Sequence, residues 1–423
     1  MTATTEPTPP RIAELDIVRG VAVMGILAMN IVAFAMPFQA YMNPLAFGME
    51  GPADYWSWVL SYILIDGKMR GLFSFLFGAS TLLVIERAQA SGRSPASVHY
   101  RRMLWLLAFG LIHFYFIWFG DILTAYALMG LLLYLFRDLR PRALVIWGIA
   151  LVAVQLLVFL LIAGGIAFMA YKSGVPGADP EIVQQWQELE GQFGMLTGQP
   201  LADKLALFGG GWLGLTQERL SGWYEPFTGI FMFGWETLAY MLFGMAALKT
   251  GFFRGEWSLA RYRRTALIGL AVAIPAYALL AWLLTRDGFS VTMVFLLVMA
   301  ATVPFRPAMV LAYAALIILA TRKGGALVDR IAAAGRAAFT NYLGTSIVMT
   351  TLFYGYGLGL YGTMSRAELW IPVIAMWALM LIWSKPWLDR FRYGPFEWLW
   401  RSLARWRIEP MRRRPPAPAA PAA

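Results

Sequence analysis

Long apolar runs recur from one end of this chain to the other, and they constrain the fold more than any motif it contains. Crossing a hydrocarbon core takes about 20 predominantly apolar residues, and every backbone polar group inside it must be satisfied locally, so such runs become helices. Of 423 residues, 59% are hydrophobic and only 14% charged, whereas a soluble domain shows short amphipathic periods. The chain therefore reads as all-α, a single polytopic integral membrane helix bundle. Cysteine is absent. That removes disulfides, thiolate metal ligands and thiol nucleophiles, so any covalent intermediate must use another group.

A net charge of +11 suggests nucleic acid only when basic residues share a face, and here they cluster between the apolar segments. No nucleic-acid partner is expected. By the positive-inside rule the arginine-rich segments 87–102, 137–142, 249–264, 322–336 and 390–414 are cytoplasmic, and the acidic, glycine-rich stretch 174–225 is external. Ten spans result, near 17–38, 69–86, 103–119, 122–136, 143–170, 227–248, 265–285, 290–320, 338–354 and 370–388, with both termini inside. The first run is too long for a signal peptide and has no A-x-A-like exit, so it is read as a retained helix. In the eighth, Pro304, Arg306 and Pro307 predict one kinked span or a re-entrant pair. Residues 55–65 are too short to cross and are expected along the outer interface. The resulting organisation is a cytosolic tail over 1–14, transmembrane halves over 15–171 and 226–403, an external loop over 172–225, and a basic, proline-rich disordered tail over 404–423.

Against this background the isolated polar residues stand out: Asn30, Asp66, His113, Asp121, Glu236 and Asn341 lie inside or at the edges of apolar runs. An ionisable group at the bilayer centre costs about 2.5–3.5 kcal/mol on insertion scales, so it normally faces the bundle interior and marks a path or a reaction site. His113 is the one intramembrane side chain able to move a proton near neutral pH; the alternative is a packing histidine bonded to a carbonyl or hydroxyl. Asp121 follows by eight residues, which on a straight helix is ~12 Å along and ~80° around. Either the Gly120 break folds Asp121 back onto its own helix end, or Asp121 caps the next span. Glu236, near the middle of its run, must be protonated or paired, with His113 or an arginine as partner.

Other polar groups cluster near span ends. Asp16 and Arg19 are spaced i,i+3 for a local ion pair, and Asp66 with Arg70 at i,i+4, beside Lys68, suggests a wet cavity. Arg336, Asn341, Tyr342, Thr345 and Ser346 either line that cavity or bond helix to helix at about 0.6 kcal/mol each. Gly357, Gly359 and Gly362 spell G-x-G-x-x-G, but no strand precedes them; they read as a helix-to-helix turn with Tyr354, Tyr356 and Tyr361 at the interface. His99 and His113 alone make no metal site, and no metal is expected.

Six blocks in order carry a family resemblance: L-D-I-V-R-G-V-A-V-M-G-I-L-A-M-N from Leu15 to Asn30, R-G-L-F-S-F-L-F-G from Arg70, G-L-I-H-x4-W-x-G-D-I-L-x2-Y-A from Gly110, A-G-R-A-A-F-T-N-Y-L from Ala334, Y-G-Y-G-L-G-L-Y-G from Tyr354, and W-L-D-R-F-R-Y-G-P-F-E-W-L-W-R from Trp387. Together they resemble the bacterial YeiB family, whose C-terminal half is catalogued as a domain of unknown function. Phe339 departs from the leucine more usual there. The L-D-x-x-R-G start is also similar to that of the lysosomal heparan glucosaminide acetyltransferase and, more distantly, of acyltransferases that decorate bacterial surface glycans. The resemblance implies a transmembrane acyltransferase-like fold in the bacterial inner (cell) membrane. An acyl group would pass from a cytosolic acyl-CoA, a donor substrate and not a bound cofactor, to a small-molecule, lipid or glycan acceptor, with membrane lipids as the other partners. His113 would be the general base, although it stands on a different span from the histidine of those relatives. Asp121 or Glu236 would orient it, and Arg19 with other cytosolic arginines would receive the donor's phosphates. The competing expectation is a proton-coupled transporter or exporter using the same acids and His113, and a third is a scaffold tethering partners through its outer loop; no inverted repeat is visible in the sequence.

Overall fold

The computed structural model describes residues 12–413, and among them every regular element is a helix apart from one isolated backbone bridge between Phe391 and Arg412. Residues 1–11 of the segment expected as a cytosolic tail, and residues 414–423 of the proline-rich tail, lie outside the described residues. In chain order the principal helices are α1 (Ala13–Ala35), α2 (Pro52–Leu64), α3 (Lys68–Ala90), α4 (Pro95–Phe116), α5 (Leu123–Leu133), α6 (Pro141–Ser173), α7 (Pro180–Phe193), α8 (Gly198–Phe208), α9 (Trp212–Ser221), α10 (Glu225–Lys249), α11 (Leu259–Asp287), α12 (Arg306–Thr321), α13 (Ala326–Arg336), α14 (Ala338–Phe353), α15 (Trp370–Arg390) and α16 (Pro395–Arg405). A π-helical stretch, Val294–Ala300, precedes α12.

Six segments are long and apolar enough to cross a membrane: α1, the α2–α3 unit Pro52–Ala90, α6, α10, α11 and α15. This is a membrane helical protein. Length and composition do not deliver the full ten spans, because α5, the π-helix and α12 are short, and α14 mixes Asn341, Thr345, Ser346 and Thr350 into only 16 residues.

Glycine sets where the helices approach most closely. A Cβ at Gly78 of α3 would collide with the carbonyl of Met241, and one at Gly244 of α10 with that of Phe75, so these two helices meet backbone to backbone. Gly20 of α1 and Gly335 of α13 do the same against Ile331 and Asp16. Two helices are interrupted within the bundle. The turn at Ile65–Gly67 separates α2 from α3, with Gly67 left-handed at φ 70°, and residues 301–305 separate the π-helix from α12. The interruptions meet: a Cβ on Gly67 would lie 2.6 Å from Arg306 Nε.

Two segments have neighbours that the sequence did not name. Residues 55–65 leave Trp56 and Leu60 exposed but bury their other face. They form most of α2, which is packed into the bundle through Trp58, edge-on to Phe289 at 4.9 Å, and Tyr62, whose hydroxyl donates to the Leu297 carbonyl at 2.9 Å. In the glycine-rich turn Tyr356 is exposed, whereas Tyr354 and Tyr361 lie beneath the stretch 174–225, which is helical and not an open loop. Its helices α7 to α9 form a cap: Phe208 stacks on Tyr361 at 4.4 Å, Gly355 N–H donates to the Phe208 carbonyl at 2.9 Å, and Tyr354 and Tyr361 are buried beneath.

At the opposite end α16 seals α14. The Glu397 carboxylate accepts from Phe339 N–H at 2.7 Å, Thr340 N–H at 3.2 Å and the Thr340 hydroxyl at 2.5 Å, placing an anion on the donors that begin that helix. Residues 404–413, expected within the tail, continue this packing: Trp398 donates to the Glu409 carbonyl at 2.6 Å.

Candidate functional site

The dyad begins with the way α4 ends. Ile117 and Trp118 both donate to the His113 carbonyl, at 3.0 and 2.8 Å, and the chain then doubles back through Gly120, which lies against the Trp118 ring. Asp121 thereby reaches His113: Oδ1 is 2.8 Å from Nδ1, while Oδ2 accepts from Thr124 N–H at 2.7 Å in the first turn of α5. Both readings of Asp121 hold together because a carboxylate has two oxygens. A Cβ on Gly110 would meet Thr124 N at 2.5 Å, so α4 and α5 are fixed against each other where the dyad spans them.

Both dyad side chains have no exposed surface. The aspartate assigns the ring proton to Nδ1, leaving a lone pair on Nε2. Among the described residues that nitrogen has no hydrogen-bond partner. Around the ring stand Tyr342 at 5.2 Å and Trp118 at 6.3 Å, with the Tyr342 hydroxyl accepting from Ile122 N–H at 3.2 Å. Beside them lies a cavity of about 10 Å³ whose polar lining is Asn30, Trp118, Tyr342, Thr345 and Ser346. It has room for about one water. A buried histidine held by a carboxylate, with its second nitrogen open, is suited to taking a proton from a group brought to it.

Glu236 forms a separate centre. Arg306 Nη1 donates to both its oxygens, at 2.7 and 2.6 Å, Arg70 Nη2 to Oε2 at 3.1 Å and the Tyr240 hydroxyl to Oε1 at 2.9 Å. Arg306 Nη2 donates in turn to Thr302 Oγ1 at 2.6 Å, and Gln155 Oε1 accepts from Glu236 N–H at 3.2 Å. The partners of Glu236 are thus arginines and not His113, so Asp121 alone contacts the imidazole as orienting acid. Arg70 reaches across to α10, whereas Asp66, in the turn before α3 and so off its i,i+4 face, accepts from the Tyr41 hydroxyl at 2.7 Å. Lys68 sits over the Tyr277 ring at 3.3 Å. A space of about 50 Å³ lined by Tyr41, Tyr62, Asp66 and Arg366 lies beside Asp66, but Lys68 and Arg70 do not line it.

The remaining residues separate. Arg19 pairs with Asp16 at 3.1 Å, donates to Ser80 Oγ at 2.6 Å, and at the arginine-rich end of the bundle shares electrostatic range of Arg102 with Arg401 and Arg405. Arg336 ends α13 in range of Asp389. Asn341 bonds helix to helix, donating to the Ala334 carbonyl at 3.0 Å and Ser384 Oγ at 3.3 Å while accepting from Trp383 Nε1 at 2.9 Å. Asn30, Tyr342 and Ser346 come together at the small cavity, with Thr345. Among the described residues no group of three or more His, Asp or Glu could hold a metal ion. Sequence reasoning named Arg306 only as an interruption; a single arginine in one apolar run and a single glutamate in another was the signal for their pairing.

Residues 247–407 match a family described as a protein of unknown function (DUF418). Over 400 residues the chain is 35% identical to the uncharacterized protein YeiB of Escherichia coli, covering 92% of this chain and 95% of that one. It is 33% identical over 409 residues to the uncharacterized protein YxaH of Bacillus subtilis, covering 93% and 94% respectively.

Proposed function

The chain belongs to the YeiB family, and from the buried dyad we propose that it is a membrane-embedded acyltransferase moving an acyl group from a cytosolic acyl-CoA to a hydroxyl or amine acceptor at the membrane or outside. The observation that carries this reading is the open Nε2 of His113 on an imidazole held by Asp121. Nε2 removes the acceptor proton as the acceptor oxygen or nitrogen attacks the thioester carbonyl. The C–S bond then breaks, and the departing thiolate takes that proton from the imidazolium. Arg19, with Arg102, Arg401 and Arg405, offers guanidinium groups to the donor's phosphates.

In the membrane this corresponds to ten passes in an acyltransferase-like bundle, the shorter and interrupted helices crossing alongside the six long ones, with both termini in the cytoplasm of a bacterial cell and the α7–α9 cap outside. Single cysteines introduced into this cysteine-free chain report the sides. Positions 93 and 258 are expected to be inaccessible to an impermeant thiol reagent in intact cells, and position 190 to be labelled; the reverse pattern overturns the orientation.

Calorimetric titration of the purified chain with acetyl-CoA, palmitoyl-CoA and free CoA tests the donor. Binding of an acyl-CoA that is lost in Arg19→Ala supports the enzyme, and no heat with any of the three counts against it. A second reading, a solute transporter, draws support from the two interrupted helices that meet at Glu236 and Arg306, since broken helices commonly frame transporter binding sites. Yet both oxygens of Glu236 are already engaged, so a solute or proton arriving there must first break an ion pair.

A further inference from the structure

Under the cap, Arg219 of α9 is 6% exposed, and neither of its terminal nitrogens meets an acceptor among the described residues. Removing an ion from water costs several kcal/mol unless a partner compensates it. Glu218, beside it in sequence, is exposed. Thr216, three residues earlier on the same helical face, is also buried with its hydroxyl unbonded. Facing them is the aromatic turn: Tyr354 and Tyr356 stand within electrostatic range of Arg219, and among the described residues the buried hydroxyls of Tyr354 and Tyr361 make no hydrogen bond of ordinary geometry. Trp118 Nε1, next to the Tyr354 hydroxyl, makes no hydrogen bond of ordinary geometry among the described residues.

Every one of these groups can donate, and the guanidinium and indole can do nothing else. The hydroxyls can also accept, but among the described residues none of them bonds the Arg219 guanidinium, which is the group left in need of an acceptor. We propose that Arg219, Thr216, Tyr354 and Trp118 form an oxyanion-binding subsite for the carboxylate, phosphate or sulfate group of a molecule reaching it from the cap side. Guanidinium forks pair with such planar or tetrahedral oxyanions, and the buried setting strengthens each bond. Trp118 also faces His113, 6.3 Å from ring to ring. An anion on Arg219 therefore stands next to the dyad's aromatic wall. Its use as the anchor of an acyl acceptor rests on the acyltransferase reading; the binding of the anion does not.

The full chain in phosphatidylcholine nanodiscs is titrated calorimetrically with inorganic phosphate, sulfate and succinate, without any acyl donor, so failure here is distinct from failure of acyl transfer. Saturable binding of at least one is expected, weakened about 10- to 100-fold in Arg219→Gln and less in Arg219→Lys, which keeps the charge without the fork. If Arg219→Gln does not fold, Thr216→Val supplies the weaker binder, and protection of the wild-type chain against thermal unfolding by the same anion gives a second measurement. No saturable binding by the wild type, or equal binding in the variants, overturns the proposal. Repeating the titration with phosphatidylglycerol in the disc separates the sources: competition for the same Arg219-dependent site identifies a lipid headgroup, and undiminished binding identifies a free solute.

Discussion

Replacing His113 with alanine is expected to lower acyl transfer by about 10²–10⁴-fold while leaving the chain folded in the membrane, because a positioned general base contributes a factor of that size. His113→Gln should fall nearly as far, since an amide fills much of the space without a basic nitrogen. Asp121→Asn is expected to lie between the wild type and these variants. It keeps the turn into α5 through its remaining oxygen but no longer holds the imidazole by a carboxylate, which also serves Thr124 N–H. Release of CoA from acyl-CoA measures the rate. The absence of cysteine gives a thiol-sensitive reagent no background from the protein itself. Full activity in both His113 variants would return the residue to packing, where its loss appears as reduced thermal stability alone.

How much of this was legible beforehand depends on whether the information is local. Apolar runs and arginine clusters are read along one dimension, so the all-helical membrane class followed from the sequence directly. The Gly120 break was local too, and it offered two placements of Asp121, both of which the structure uses at once. The contact between Glu236 and Arg306 joins positions 70 apart on different helices, and nothing in their neighbourhoods says which arginine answers which acid. The packing of residues 55–65 was hidden for a related reason. The partners that bury Trp58 and Tyr62 are contributed by residues 277–297, far along the chain. Arg219 carried no signal at all, because an arginine in a polar stretch read as a loop is ordinary until the cap folds over it.

The largest effect on folding is expected at the Glu236 cluster. Arg306→Ala should destabilise the chain by about 3–5 kcal/mol, because removing one member of a buried pair strands the other charge. Arg70 stays on Glu236, but through a single hydrogen bond and with its side chain 21% exposed, so Arg70→Ala should cost clearly less. The double variant Arg306→Met, Glu236→Leu should recover most of the loss, since apolar residues of similar volume often replace a buried ion pair without penalty. Recovery stays incomplete, because the Tyr240 hydroxyl loses the carboxylate it donates to, whereas the Thr302 hydroxyl keeps its bond to the Val298 carbonyl. Unfolding in mixed micelles measures all three, and a double variant less stable than Arg306→Ala would show that the pair does not act as a unit. The same protein separates structure from function. A folded double variant that still transfers acyl groups assigns the cluster to holding the two interrupted helices together. A folded double variant without activity brings Glu236 into the reaction or the solute path.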